Sequence, residues 1–233
     1  MNIQAKIYDD RIIKGTLYKI GESKSILCSE EHDDGLDVFY SNIVLQRNQY
    51  AYYAHEYRSP IVNKENASMI DIFIIIVDEQ QKKMKAFALD LKRNLFSIDT
   101  TKADMGNYRI IALNIEKFVK QVNDTHKYYH AIKVFLEDKI EEDEFSIALV
   151  TRNFDSDKIH TFLSKMQESK KNLPKGLVKK DQLLKLKLIS LETIRKFLDK
   201  KIFVNGKEYT FEVFILEKEE NNDIYSTSHS FLM

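Results

Sequence analysis

The sequence has little of what marks secreted, membrane-spanning or zinc-stapled proteins. It contains one cysteine, Cys28, and no tryptophan, so a disulfide framework and a cysteine-rich zinc site are excluded. The longest apolar run, residues 72–77, is far too short to cross a bilayer, and the N-terminus has no apolar stretch typical of a signal peptide. Six glycines in 233 residues leave little room for a phosphate-binding loop. We therefore expect a cytoplasmic protein without a membrane segment.

The chain also lacks a net charge, because its 36 basic residues equal its 36 acidic residues in number. The distribution is uneven, since residues 156–216 carry 14 Lys and Arg against 7 Asp and Glu. A lysine-rich C-terminal third is able to face a phosphate backbone, although solvated helix lysines explain the same surplus. The candidate nucleic-acid-binding residues are Lys175, Lys179, Lys180, Lys185 and Lys187.

The strongest strand signal lies in residues 69–93. Residues 69–77 are β-branched and aromatic apart from Asp71, a pattern typical of a strand buried on both faces. After a polar tip, residues 83–92 alternate in character, and Asp90 and Lys92 share the narrower face. This pattern predicts a β-hairpin with ionisable groups on one face.

The register of this hairpin decides whether Asp71 joins the other two residues. A four-residue tip at 79–82 makes the position numbers of cross-strand neighbours add to 161, so Asp71 lies opposite Asp90, with Cβ atoms about 5 Å apart. Two buried carboxylates repel each other unless a cation lies between them, and a hard divalent metal is the obvious candidate. The alternative is a plain amphipathic hairpin in which Asp90 and Lys92 are solvated edge charges.

Asp71 on one strand and Asp90-Leu91-Lys92 at the end of the next resemble the motif of the PD-(D/E)XK nuclease superfamily, with Ile70 in place of the motif's proline. The resemblance covers roughly residues 40–155. It implies a restriction-endonuclease-like α/β fold, a mixed central sheet flanked by helices. It also implies that Asp71 and Asp90 bind Mg²⁺ or Mn²⁺ and that Lys92 orients or activates the attacking water. Glu56 would be an extra acidic ligand from the preceding helix, or else an exposed glutamate.

The activity implied by the resemblance is metal-dependent hydrolysis of nucleic acid, with DNA as the expected substrate, in an effector of bacterial anti-phage defence or restriction. Paired strand cleavage needs two sites, so a homodimer or a regulatory partner is expected. The alternative is a catalytically inactive nuclease-fold subunit that binds nucleic acid or another protein.

Patterns elsewhere predict the surrounding elements. Two short strands turn at Asp9-Asp10, helical spacing predicts a helix over 36–57, and Asn205-Gly206 predicts a hairpin over 202–216. The other predicted elements are a strand at 108–113, a helix at 114–136 with Asn114 as N-cap, a strand at 145–151, and helices at 156–170, capped by Ser156-Asp157, and 190–200.

These elements predict a nuclease-like core with an accessory hairpin at 1–155, a C-terminal extension at 156–216 and a polar tail at 217–233 that is disordered until its last residues. The extension is similar to a winged helix, or it adds strands to the central sheet. His126 and His130 lie one helical turn apart, but no third ligand has recognisable spacing, so a structural role is favoured over zinc.

If the five C-terminal lysines contact phosphates, affinity for nucleic acid should fall steeply with salt, because each contact releases counterions. Reversing the charge of Lys179 and Lys180 should reduce that slope, measured by fluorescence anisotropy on a labelled oligonucleotide at several salt concentrations. An unchanged slope would assign the lysine surplus to solvation.

Overall fold

A computed structural model describes most of the chain in ranges separated by gaps: residues 2–5, 12–13, 17–20, 26–32, 35–43, 49–55, 70–93, 95–96, 104–172, 189–221 and 223–231. The helices within these ranges are α1 (Met105–Phe135), α2 (Ser156–Asn172) and α3 (Leu191–Leu198), with a short 3₁₀ helix at Glu137–Lys139. The strands are β1 (Asn2–Ala5), β2 (Ile12–Ile13), β3 (Leu17–Ile20), β4 (Ile26–His32), β5 (Gly35–Ile43), β6 (Gln49–His55), β7 (Ile72–Asp78), β8 (Lys83–Lys92), β9 (Glu142–Thr151), β10 (Lys201–Val204), β11 (Lys207–Thr210), β12 (Glu212–Ile215), β13 (Glu217–Lys218) and β14 (Ile224–Phe231).

The central sheet has seven strands in the order β12-β9-β8-β7-β6-β3-β2. Strand β9 pairs parallel with both β8 and β12. The remaining neighbours, from β8 through β7, β6 and β3 to β2, pair antiparallel. A second sheet has the order β1-β4-β5-β14-β13, and β10 and β11 form a two-stranded ribbon. The predicted mixed α/β class, with helices and a mixed sheet, is confirmed. No helix in the described ranges is both long and apolar enough to cross a membrane.

The β7–β8 hairpin has the predicted register. Ile72 lies opposite Leu89 and Asp78 opposite Lys83, so paired position numbers add to 161, and residues 79–82 form the tip. Every residue of β7 is buried, as its apolar sequence predicts. Continuing the register one residue beyond Ile72 places Asp71 opposite Asp90.

Helix α1 forms the crossover between parallel strands β8 and β9 and contributes one side of the hydrophobic core. The small residues Ala86 and Ala88 of β8 lie in this core together with Ile115, Phe118 and Val122 of α1. The same face of β8 continues to Asp90 and Lys92, because side chains alternate along a strand. The narrow face predicted from the sequence is therefore the one that faces the core containing α1.

The C-terminal region closes this core and extends the central sheet. Ser190 caps α3 as predicted, through a 3.1 Å bond from the Thr193 amide. The ribbon turns at Asn205-Gly206, where both residues have positive φ, 48° and 86°, the geometry that Asn-Gly favours in two-residue hairpin turns. Strand β12 then pairs parallel with β9, so of the two arrangements left open, the sheet extension is present.

The helix predicted over 36–57 is wrong. The described parts of this region are strands β5 and β6, and β6 pairs with β7 from Gln49 to His55. Tyrosines are good strand formers, and pairing with a neighbouring buried strand overrides a weak helical spacing. Within the described ranges before residue 70, no helix precedes the hairpin.

Other corrections concern element ends and termini. The strand predicted at 108–113 is part of α1, which begins at Met105 and is capped by Asp104 rather than Asn114. Asp155 caps the first turn of α2 in place of Ser156 and Asp157, through the Lys158 amide. The tail, predicted to be disordered until its last residues, contains β14 from Ile224 to Phe231, which pairs parallel with β5. Strand β1 pairs with β4 rather than with the next strand along the chain, and Asp9-Asp10 lie outside the described residues.

An aromatic cluster joins α1, α3 and the segment before β12. The fully buried Phe197 ring lies 5.0 Å from Phe211 and 5.6 Å from Phe118, centroid to centroid. Phe203, on the β10–β11 ribbon, is instead 48% exposed. The two phenylalanines therefore compare a fully buried ring in a helix with a half-exposed ring in a strand.

Phe197→Ala should lower the free energy of unfolding by about 3–5 kcal/mol, because it leaves a cavity among rings that cannot collapse fully. Phe203→Ala should change it by less than about 1 kcal/mol. Urea unfolding followed by circular dichroism measures both. Equal losses in the two variants would contradict the burial of Phe197.

Candidate active site at the end of the β7–β8 hairpin

Asp71, Asp90 and Lys92 lie together at the end of the hairpin. Asp71 is the residue before β7. Its Oδ2 accepts a 2.7 Å hydrogen bond from the backbone amide of Leu91, which lies between Asp90 and Lys92 in the sequence. The Lys92 Nζ lies 2.9 Å from both carboxylate oxygens of Asp90. The three residues selected from the sequence therefore form one cluster.

Burial differs sharply within the cluster. Asp90 has no exposed surface, Asp71 is partly buried, and the Lys92 side chain is 19% exposed. A charged group is rarely buried to this degree without a partner or a function. The alternative in which Asp90 and Lys92 are solvated edge charges is therefore wrong.

Burial, and after it the charge of Asp71, raise the pKa of Asp90 to about 7, although the Lys92 ammonium acts in the opposite direction. Desolvation disfavours the ionised carboxylate, and a second carboxylate nearby repels it. Near neutral pH Asp90 is therefore divided between its protonated and ionised forms. A bound cation would favour the ionised form.

The donor set fits a hard divalent cation. Two carboxylates face each other, and the buried Oδ2 of Asp90 accepts no hydrogen bond from any described residue, although it lies close to Lys92. Oxygen ligands from one or two carboxylates, completed by water, are the usual protein environment of Mg²⁺. Asp71 and Asp90 could therefore hold Mg²⁺ or Mn²⁺.

A third side-chain ligand is not found in the described part of the chain. Within it, no group of three His, Cys, Asp or Glu residues is arranged to hold a metal ion. Glu56, the predicted extra ligand, lies outside the described residues. So do all five of the lysines predicted to bind nucleic acid: Lys175, Lys179, Lys180, Lys185 and Lys187.

Helix α1 is bonded to the start of the hairpin, one residue before Asp71, through a residue that the sequence did not single out. The buried Thr125 accepts a 3.0 Å hydrogen bond from the amide of Ile70 and donates a 2.8 Å bond to the carbonyl of Gln121. Thr125 is a polar residue three positions after the buried Val122 and three before the buried Tyr128. A hydroxyl on an apolar helix face is the signal that could have identified it.

Among the described residues, the two histidines of α1 belong to no group of three side chains that could hold a metal ion. Both ring nitrogens of His126 have partners, the Tyr209 hydroxyl at 3.0 Å and the Asn205 side-chain amide at 3.0 Å. Its ring also lies edge-on to Phe145, with centroids 4.9 Å apart. Burial lowers the pKa of His126, so the neutral ring is favoured and its role is structural.

Without metal, stability should depend on pH through Asp90. The unfolded chain ionises this carboxyl near pH 4, whereas the folded protein keeps its proton up to about pH 7. The folded state thus binds more protons in this interval, and the free energy of unfolding should fall as the pH rises from about 4 to about 7. Asp90→Asn cannot ionise and should lose that part of the decline.

Urea unfolding of EDTA-treated protein across this pH range measures the difference between parent and variant. Asp155→Asn is the control, because this carboxyl is exposed and an asparagine also caps a helix. Its pH dependence between about 4 and 7 should match that of the parent. A decline in Asp90→Asn as large as in the parent would remove Asp90 as its source.

Comparisons with known proteins give no match: no family model fits the chain, and neither a curated protein nor a solved structure shows significant similarity to it. The assignment of a function to the Asp71, Asp90 and Lys92 cluster therefore depends on its own residues and geometry.

Proposed function

We propose that this protein is a metal-dependent nuclease that hydrolyses phosphodiester bonds of nucleic acid, with DNA as the first substrate to test. The observation that carries the proposal is the meeting of Asp71, Asp90 and Lys92 at the end of one hairpin, with Asp90 fully buried. Two opposed carboxylates are able to hold a metal ion that assists phosphate hydrolysis, and an ammonium beside them is able to offset negative charge that develops on the phosphate.

The order of elements supports a restriction-endonuclease-like core in part. Hairpin β7–β8 is followed by α1, by the parallel strand β9 and by α2, which is the hairpin-helix-strand order implied by the resemblance. The position expected for a preceding helix is instead occupied by β6, which pairs with β7. The likeness is therefore to the half of the core that carries the Asp-x-Lys motif.

Each residue has a distinct role in this proposal. Asp71 and Asp90 would hold Mg²⁺ or Mn²⁺, which supplies Lewis-acid polarisation of the phosphate and a more acidic bound water. Lys92 would orient that water and offset the negative charge that develops on the phosphate. Because the buried carboxyl of Asp90 must lose its proton to bind a cation, metal affinity should rise with pH.

A second candidate function is a binding module that has lost catalysis. It is favoured by one observation: the ammonium of Lys92 already lies 2.9 Å from both oxygens of a carboxylate that has no exposed surface. Such a closed ion pair is able to stabilise the hairpin end without any metal. In this case the protein would act as a nucleic-acid or protein-binding subunit, as a homodimer or with a regulatory partner.

The resemblance to PD-(D/E)XK nucleases also suggests a biological setting for the proposed activity. A nuclease of this kind would serve in anti-phage defence or restriction, and its substrate would pass close to the hairpin end. The lysines between residues 175 and 187 are its proposed contacts with phosphate. Their charge, rather than base recognition, would provide most of the affinity.

Lys92→Ala should retain divalent binding and lose about 10²-fold or more of the cleavage rate, the scale expected for one positioned electrostatic group. Lys92→Arg should recover little, since a planar guanidinium does not replace a compact ammonium. Mn²⁺ titration calorimetry and cleavage of labelled single- and double-stranded DNA and RNA measure the two properties separately.

Lys85→Ala is the matched control on the same strand. Lys85 lies on the opposite face of β8, where its side chain is 40% exposed and 3.9 Å from Glu144, so its loss should leave cleavage unchanged. Cleavage by Lys92→Ala at the parent rate would reject the assignment of Lys92. A parent that binds Mn²⁺ but cleaves none of these substrates would favour the binding module.

A further inference from the structure

Asp71 lies at a position that the sheet does not hold by itself. The β7–β8 ladder begins with the pair Ile72 and Leu89, and Asp71 is in a bend immediately before it. A residue at the end of a ladder is free to open locally unless other contacts restrain it. The restraints at this point are two hydrogen bonds to side chains, one at Asp71 itself and one at the residue before it.

One restraint acts on the Asp71 carboxylate and the other on the backbone before it. Oδ2 of Asp71 accepts from the Leu91 amide at 2.7 Å. The amide of Ile70, which is 1% exposed, donates to Thr125 Oγ1 at 3.0 Å, a bond between residues 55 positions apart. The hairpin end is thereby attached to α1 one residue before the candidate metal ligand.

The hydroxyl of Thr125 is itself fixed in direction. It donates its proton to the Gln121 carbonyl at 2.8 Å, one helical turn earlier, and Thr125 has no exposed surface. A hydroxyl has one proton and two lone pairs. Because the proton is committed to α1, a lone pair is directed away from the helix and accepts from Ile70. No apolar side chain of the same size reproduces that bond.

We propose that Thr125 is a positioning residue of the candidate site: its hydroxyl holds the Ile70 amide so that the Asp71 carboxylate stays against the Leu91 amide and opposite Asp90. The proposal builds on the proposed function, because it assigns Thr125 to the support of a metal ligand. Partners that orient metal ligands typically change metal affinity by about 10-fold to 100-fold when removed.

The experiment compares three variants. Thr125→Val keeps the size and removes the hydroxyl, whereas Thr125→Ser keeps the hydroxyl. Asn123→Ala is the matched control on the same helix, because the Asn123 side chain accepts from the Asn205 amide at 2.9 Å and so restrains the β10–β11 turn instead of the hairpin end.

The first measurement uses metal-free protein and does not depend on any nuclease activity. Amide hydrogen exchange of Leu91, followed by NMR, reports whether the Asp71 carboxylate still accepts that N–H. In Thr125→Val the protection of the Leu91 amide should fall by about 10-fold or more relative to the Ala86 amide in the middle of β8. The reason is that the buried Ile70 amide loses its acceptor, so the end of the hairpin opens more often. Thr125→Ser and Asn123→Ala should keep the parent ratio.

The second measurement is Mn²⁺ affinity by titration calorimetry. Thr125→Val should bind about 10-fold more weakly or worse, Thr125→Ser within about 3-fold of the parent, and Asn123→Ala like the parent even where its melting temperature is lower. If Thr125→Val and Asn123→Ala lose equal stability but only Thr125→Val loses Mn²⁺ affinity, the effect is one of positioning and not of general destabilisation.

Several outcomes would overturn the proposal. Unchanged Leu91 protection in a folded Thr125→Val variant would show that the hydroxyl does not position Asp71. An equal loss of protection in Asn123→Ala would assign the effect to stability alone. Unfolding of Thr125→Val beside a native Thr125→Ser would make the hydroxyl a requirement of the whole fold. Failure of the parent to bind Mn²⁺ would reject the proposed function, while the Leu91 measurement would still decide the role of Thr125.

Discussion

The repulsion between two carboxylates at the end of a buried hairpin is the constraint on which the rest of this structure depends. Asp71 lies opposite Asp90, and Asp90 has no contact with solvent. Such a pair is stable only if a proton, an ammonium or a metal ion reduces its charge. Lys92 is close enough to do so in part, and the raised pKa of Asp90 allows a proton to do the rest. The divalent cation of the proposed function would reduce the charge of the pair in the same way.

The surrounding elements both create this constraint and limit it. Parallel strand β9 covers one side of β8, and α1 packs over the face that carries Asp90. They remove water, which strengthens electrostatic interactions in the cluster. Thr125 accepts a hydrogen bond from the amide of Ile70, the residue before Asp71, and the Leu91 amide donates to the Asp71 carboxylate. Burial, charge and backbone restraint are thus provided by different elements that converge on one position.

The departure from the expected nuclease core lies on the other side of the hairpin. Strand β6 extends the sheet beside β7, where the resemblance requires a helix, and β3 and β2 continue it. Sequence spacing favoured the helix because tyrosines and alanines in residues 50–54 repeat at intervals that suit both structures. Pairing with β7, a strand buried on both faces, decided between them. This partner lies too far along the chain for a local sequence pattern to indicate the pairing.

The sequence by itself determined the hairpin, its tip, its register and the meeting of Asp71, Asp90 and Lys92, because strand alternation and a short turn are local and leave one register. It also determined β9, α3 and the Asn205-Gly206 turn. Only the tertiary structure decided that β5 and β6 are strands, that α1 begins at Met105, that β12 joins β9 and that Thr125 accepts from the Ile70 amide. These features depend on contacts between distant segments, whose free energy exceeds local preferences and cannot be evaluated until the chain has folded.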